Sequence, residues 1–146
     1  MQDPSACRVL LVEDDHEVAD VIESILTDEG YLVSVLADLS HESLLSAVAN
    51  QQPDCVLLDG MSRADYGSSW DEAAHLAARE RSIPTIAFSA HAADVREARE
   101  GRSARARAAD FAATLEKPFT CDDLLTAVAT ACQKSNRFDE SVEGES

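Results

Sequence analysis

The run Val9-Leu10-Leu11-Val12 passes directly into Glu13-Asp14-Asp15. Four apolar residues without polar alternation suit a strand covered on both faces, because a strand with one wet face alternates. Acids placed straight after it put charge at the strand's carboxyl end. The same grammar recurs twice: Cys55-Val56-Leu57-Leu58 runs into Asp59, and Thr85-Ile86-Ala87-Phe88 runs into Ser89-Ala90. Further strands read over Leu32 to Leu36 and Ala112 to Leu115, the last leading to Lys117-Pro118-Phe119.

Helical patterns fill the intervals. Val18, Ile22, Ile25 and Leu26 share one face and stop before Gly30, a residue suited to the position just past a helix. Leu44, Leu45 and Val48 mark a helix ending before Pro53, and Asp71 to Arg81 is Ala-rich ahead of Pro84. Residues 94 to 108 hold strong helix formers with a weak apolar face, interrupted by Gly101 and Ser103, so a break or extra turn is expected there. A last helix reads from Asp122 to Lys134, with Leu124, Leu125 and Val128 inward. Strand and helix thus alternate five times with short connections, which predicts a doubly wound α/β domain with right-handed crossovers.

The 146 residues carry 12 Lys+Arg against 28 Asp+Glu, a net charge of −16, with 45% apolar residues, as expected of one domain. We read residues 7–134 as that domain and the polar, acidic stretch 135–146 as a tail with too little apolar content to fold alone. Met1 to Ala6 lacks the basic and apolar segments of a signal peptide, and no apolar stretch has membrane-spanning length, so a cytoplasmic address without membrane contact is expected. The charge argues against nucleic acid as a partner. It is unevenly spread: Arg96, Arg99, Arg102, Arg105 and Arg107 against Glu97 and Glu100 make residues 96–107 net +3, leaving −19 elsewhere. Arg96 and Glu100 stand at i, i+4, as in a solvated, salt-bridged helix; a docking surface is the other reading. Cys7, Cys55, Cys121 and Cys132 form no CxxC pair and read as small buried apolar residues. His16, His41 and His75 lack metal-ligand spacing and read as surface or capping residues.

Ligands of an open parallel sheet gather beyond the carboxyl ends of its strands. There the chain would collect Glu13, Asp14, Asp59, Ser89 and Lys117. Singly, Glu13 and Asp14 could be acids at a helix N-terminus and Asp59 a turn cap. Together, like charges from separate strands repel unless a cation sits among them. A hard divalent cation such as Mg²⁺ answers that need and suits phosphoryl transfer. In that chemistry Asp59, central among the others, is the candidate nucleophile, Asp14 and Glu13 hold the metal, Lys117 is a point charge on the phosphoryl group and Ser89 donates a hydrogen bond. Lys117-Pro118 is a candidate cis peptide that would aim the lysine.

Leu10-Leu11-Val12-Glu13-Asp14-Asp15, Leu57-Leu58-Asp59, Phe88-Ser89-Ala90 and Lys117-Pro118-Phe119, in this order, resemble the receiver domain of two-component response regulators across residues 7 to 133. The resemblance implies a flavodoxin-like, five-stranded parallel sheet in the order 2-1-3-4-5 with helices on both faces. It implies a phosphoryl group taken on Asp59 from a histidine kinase or histidine phosphotransfer protein, with Mg²⁺ on Asp14, Asp59 and the backbone carbonyl near Met61. Ser89 would then shift, and the face built from the fourth helix, fifth strand and fifth helix would change shape as a two-state population shift. That face is the family's usual output and dimerisation surface, so Arg96, Arg99 and Arg102 become output candidates for a downstream protein partner, the chain acting as monomer or homodimer.

The chain departs from the pattern in places. The family's Met-Pro pair and Gly after the acceptor are here Gly60-Met61-Ser62-Arg63-Ala64-Asp65-Tyr66-Gly67, and the commonly aromatic switch position is Thr114. Met61 and His91 stand where relatives tune phosphoryl lifetime, with an exposed loop residue the plainer reading of His91. Tyr66 and Trp70, in the loop after Asp59, are candidates for loop packing or a binding surface. The stretch from Ser89 to Lys117 exceeds the family's usual length by about a helical turn or more. Two rivals stand beside the signalling phosphoacceptor, which is not an enzyme in the turnover sense. One is a phosphorylation-independent adaptor of the same fold. The other is a Mg²⁺-dependent aspartyl-phosphate phosphohydrolase, which would want an acid where Met61 stands.

Overall fold

The computed structural model describes residues 7–37, 41–59, 62–63, 67–78, 83–89 and 92–134, with the backbone alone at 41, 59, 62–63, 67–69 and 71–72. The elements run β1 (Arg8–Val12), α1 (His16–Asp28), β2 (Leu32–Leu36), α2 (His41–Gln51), β3 (Cys55–Asp59), β4 (Ser62–Arg63), β5 (Gly67–Ser68), α3 (Ser69–Ala77), β6 (Thr85–Ser89), α4 (Ala92–Glu100), α5 (Ala104–Ala109), β7 (Ala113–Glu116) and α6 (Cys121–Gln133). Strands β2-β1-β3-β6-β7 form a five-stranded sheet in that order, parallel at every pairing. Setting aside the antiparallel ribbon β4–β5, this is the order 2-1-3-4-5, with β1 and β3 either side of the switch point.

The unbroken apolar strands are buried on both faces because helices cover both. Val9, Leu11, Cys55, Leu57, Ile86, Phe88 and Leu115 face α1 and α6, packing with Ile22, Leu26, Leu124 and Val128. Leu10, Val12, Val56, Leu58 and Ala87 face the opposite layer, with Leu44 and Val48 of α2, Leu76 of α3 and Ala98 of α4. Each fully buried Leu or Ile contributes about 1.5–3 kcal/mol relative to exposure.

Local signals set the helix ends. The Asp15 carboxylate accepts the backbone N–H groups of Glu17 and Val18, at 2.9 and 3.3 Å, and caps α1. Gly30 follows α1 with φ of +97°, a left-handed turn that costs a side-chain-bearing residue energy. At α6, Thr120 and Asp123 exchange side-chain and backbone hydrogen bonds in a capping box. The helical stretch expected over 94–108 is two helices, parted at Gly101 (φ +67°), with the Ser103 hydroxyl capping α5 through the Ala106 N–H at 3.1 Å.

Two expectations need correction. Cys7 and Cys132 are a disulfide with Cα atoms 6.2 Å apart across 125 residues of sequence. Cys121 is exposed, and only Cys55 is a buried free thiol as expected. The pairing arises because the start of β1 and the last turn of α6 meet beneath the sheet, a tertiary contact without local signature. Trp70 belongs not to a loop but to the first turn of α3, where it is buried. Its ring meets Phe111 edge-on at 5.6 Å, and the Arg105 guanidinium lies 4.4 Å over it, so packing is its role. Tyr66 lies outside the described residues.

Candidate functional site

Strand register decides what meets at the carboxyl edge. Val12 pairs with Leu58, Asp59 with Phe88, Phe88 with Leu115 and Ser89 with Glu116. Glu13, one residue beyond Val12, therefore stands level with Asp59, the last residue of the central strand. Backbone bonds extend the order past the strand ends: the Glu13 N–H donates to the Leu36 carbonyl at 3.0 Å, and the Lys117 N–H to the Ser89 carbonyl at 2.9 Å.

The three consecutive acids have different duties. Asp15 caps α1, Asp14 is exposed at the edge, and Glu13 is 2% exposed. A carboxylate so buried stays charged only with donors and a cation around it. Glu13 Oε2 accepts the Asp15 N–H at 3.1 Å, and Oε1 lies 3.4 Å from the Lys117 ammonium, an ion pair spanning 104 residues of sequence. The ammonium also sits 4.3 Å from the centre of the Phe88 ring, a cation–π contact. Phe119 steadies that ring edge-on at 5.3 Å. Lys117-Pro118, a candidate from the sequence, is cis.

Ser89 is buried at the end of β6, in register with Glu116. Thr114 lies in β7, and its hydroxyl accepts a 3.1 Å hydrogen bond from Arg99 Nε of α4. Arg99, Thr114, Glu116, Asp123, Thr126 and Thr130 are among the residues lining a polar groove of about 530 Å³ between α4, β7 and α6. Arg96 sits in α4, and Arg102 follows it, its carbonyl accepting from Arg107 Nη1. Met61 and His91 lie outside the described residues.

The basic window is less of a free surface than its charge implied. The Arg105 guanidinium grips Glu97 with two hydrogen bonds of 2.8 Å, and the Ser103 hydroxyl donates to the same carboxylate at 2.6 Å. Arg105, helped by Ser103, holds the Glu97 carboxyl down to about 2. Arg99 is turned onto Thr114. Neither inward tie was legible from spacing, because Glu97 and Arg105 stand on different helices.

The family model of the response regulator receiver domain matches residues 9–129. The chain belongs to that family. No curated protein matches this receiver. Among solved structures, NtrX from Brucella abortus superposes with a TM-score of 0.74 at 22% identity, over 94% of this chain and 29% of that one. This receiver thus spans under a third of the NtrX chain. The receiver domain of a putative LuxO repressor protein from Vibrio parahaemolyticus gives 0.74 at 21% identity, covering 94% and 98%. The chemotaxis response regulator CheY4 of Vibrio cholerae gives 0.68 at 18%, covering 86% and 98%. At such identities these likenesses establish the fold. Membership in the family places the chain in two-component signalling, a setting that implies a kinase or phosphotransfer partner in general. No helix among the described residues is long and apolar enough to cross a membrane.

Proposed function

We propose that this receiver accepts a phosphoryl group on Asp59 from a histidine kinase or histidine phosphotransfer protein and signals through its own surface. The observation that carries the reading is the Glu13–Lys117 pair at the level of Asp59, because it gathers acids and a fixed ammonium from β1, β3 and β7 at one edge. An Asp59 oxygen would attack phosphorus in line while the donor's leaving group takes the bond's electrons, leaving an acyl phosphate. Lys117, anchored between Glu13 and the Phe88 ring, would offer positive charge to the phosphoryl oxygens, and the Ser89 hydroxyl a hydrogen bond.

The donor set fits a hard cation: the carboxyl groups of Asp14 and Asp59, with Glu13 beside them, offer oxygen ligands. Mg²⁺ bound there by Asp14, Asp59 and the Met61 carbonyl would supply charge neutralisation. With Met61 two residues past the acceptor, the second acid of an aspartyl-phosphate hydrolase is missing, which favours a signalling role over turnover. Output would pass through the groove edged by Arg99 and Thr114, with Arg96 and Arg102 nearby, to a downstream protein.

The test is incubation with a small acyl-phosphate donor and Mg²⁺, followed by intact-mass measurement. Wild type is expected to gain one phosphoryl group, and Asp59→Asn none. An unmodified wild type that still binds Mg²⁺ leaves the adaptor reading standing instead.

A further inference from the structure

A second chemical cluster lies at the opposite, amino end of the sheet. Cys7 precedes β1, Cys55 opens β3 and Cys132 lies in the last turn of α6, and their three sulfurs lie within 4.8 Å of one another. All three are buried. Among the described residues no histidine or carboxylate joins the group. Cys55 and Asp59 are four residues apart on one strand, about 13 Å, so this cluster is separate from the candidate phosphorylation site.

We propose that Cys7, Cys55 and Cys132 form a redox-gated three-sulfur site which, once the Cys7–Cys132 bridge is reduced, binds one trivalent pnictogen, arsenic(III) being the probe. The disulfide is the closed state, since its sulfurs are bonded to each other. Opening it takes two electrons from a dithiol: the reductant's thiolate attacks one bridge sulfur, its second thiol resolves the mixed disulfide, and Cys7 and Cys132 leave as thiols while the reductant becomes a disulfide.

Size and charge select the occupant. One pyramidal atom bonded to three sulfurs at roughly 2.3 Å holds them about 3.4 Å apart, within reach of the sulfur positions after side-chain adjustment. Three thiolates carry three negative charges into an apolar layer built from Leu26, Leu57, Val128 and their neighbours. A monovalent or divalent ion would leave net charge there, which a low-dielectric core penalises. A trivalent centre leaves none. Zinc in structural sites also wants a fourth ligand, and the cluster supplies three. Arsenous acid is neutral and condenses with neutral thiols: As(OH)₃ and three Cys–SH give As(S–Cys)₃ and three waters, with no net proton released and no change of oxidation state.

The experiment uses the full chain, reduced with a water-soluble phosphine that is then removed, and arsenite as probe, read by native intact mass and by the ultraviolet arsenic–thiolate absorption. Reduced wild type should gain one arsenic and lose three hydrogens, and the oxidised protein should gain nothing. Cys121→Ala should behave as wild type; Cys55→Ala, its fold checked by circular dichroism, should lose the three-hydrogen adduct. A wild-type adduct that keeps a hydroxyl and loses only two hydrogens would overturn the three-sulfur site, as would no adduct on fully reduced protein or an unaltered adduct in Cys55→Ala.

Discussion

Arg99 Nε donates a 3.1 Å hydrogen bond to Thr114 Oγ1, tying α4 to β7 at the position that is commonly aromatic in receivers. A threonine cannot swing as a ring does, but it can gain or lose this bond. Replacing Thr114 with Val keeps the shape and removes the acceptor. The expected cost in stability is about 0.5–1.5 kcal/mol or less, since the site is partly exposed. Faster amide hydrogen exchange confined to α4 is the telling readout; unchanged exchange would show that the bond does not hold the helix.

Lys117 is the cation paired with a buried acid. Lys117→Met should destabilise the fold by roughly 1–3 kcal/mol, because Glu13 keeps its desolvation cost and loses its ion pair. Adding Glu13→Gln should recover part of that loss. Urea denaturation of the single and double variants measures both, and equal additive losses would deny the coupling.

Glu97 predicts behaviour in acid. Its folded value of about 2 lies below the ordinary 4.5, so ionised Glu97 favours the folded state. That contribution is complete above about pH 4.5 and declines as pH falls through 2. Glu97→Gln should flatten the acid limb of the stability curve in this window and leave its shape near neutral pH unchanged. Thermal melts across pH 2–6 at constant ionic strength follow it.

The Cys7–Cys132 bridge closes a loop over a sequence separation of 125. Reduction should cost about 2–5 kcal/mol, chiefly by enlarging the unfolded ensemble. Denaturant midpoints with and without reductant give the value, and Cys121→Ala should show the same difference. Cys55 should resist alkylation throughout in the folded state, since burial, aided by Asp54, pushes its thiol up to about 12.

What the chain disclosed about itself follows from range. The three central strands were readable because burial on both faces leaves an unbroken apolar run, as in Val9 to Val12 and Cys55 to Leu58. The split between α4 and α5 was readable because Gly101 and Ser103 are local signals. Glu13 and Lys117 were readable as neighbours because parallel strands bring their carboxyl ends to one edge. The duty of Asp15 as the cap of α1 was not separated from those of Glu13 and Asp14, since all three acids sit in one tripeptide. The disulfide, the Glu97–Arg105 clamp and the Arg99–Thr114 bond join residues from different elements, and no periodicity encodes such meetings. Trp70 was misplaced by a residue or two at a helix start, where boundaries are least distinct.

Cys55 and Asp59 are the first and last residues of the same five-residue strand. That strand is hydrogen-bonded to β1 on one side and β6 on the other, so it has no slack along its length. A displacement at either end must travel along it as a rod or be absorbed by breaking bonds on both flanks. β3 thereby holds Cys55 and Asp59 at opposite ends of one strand that is tied down on both flanks.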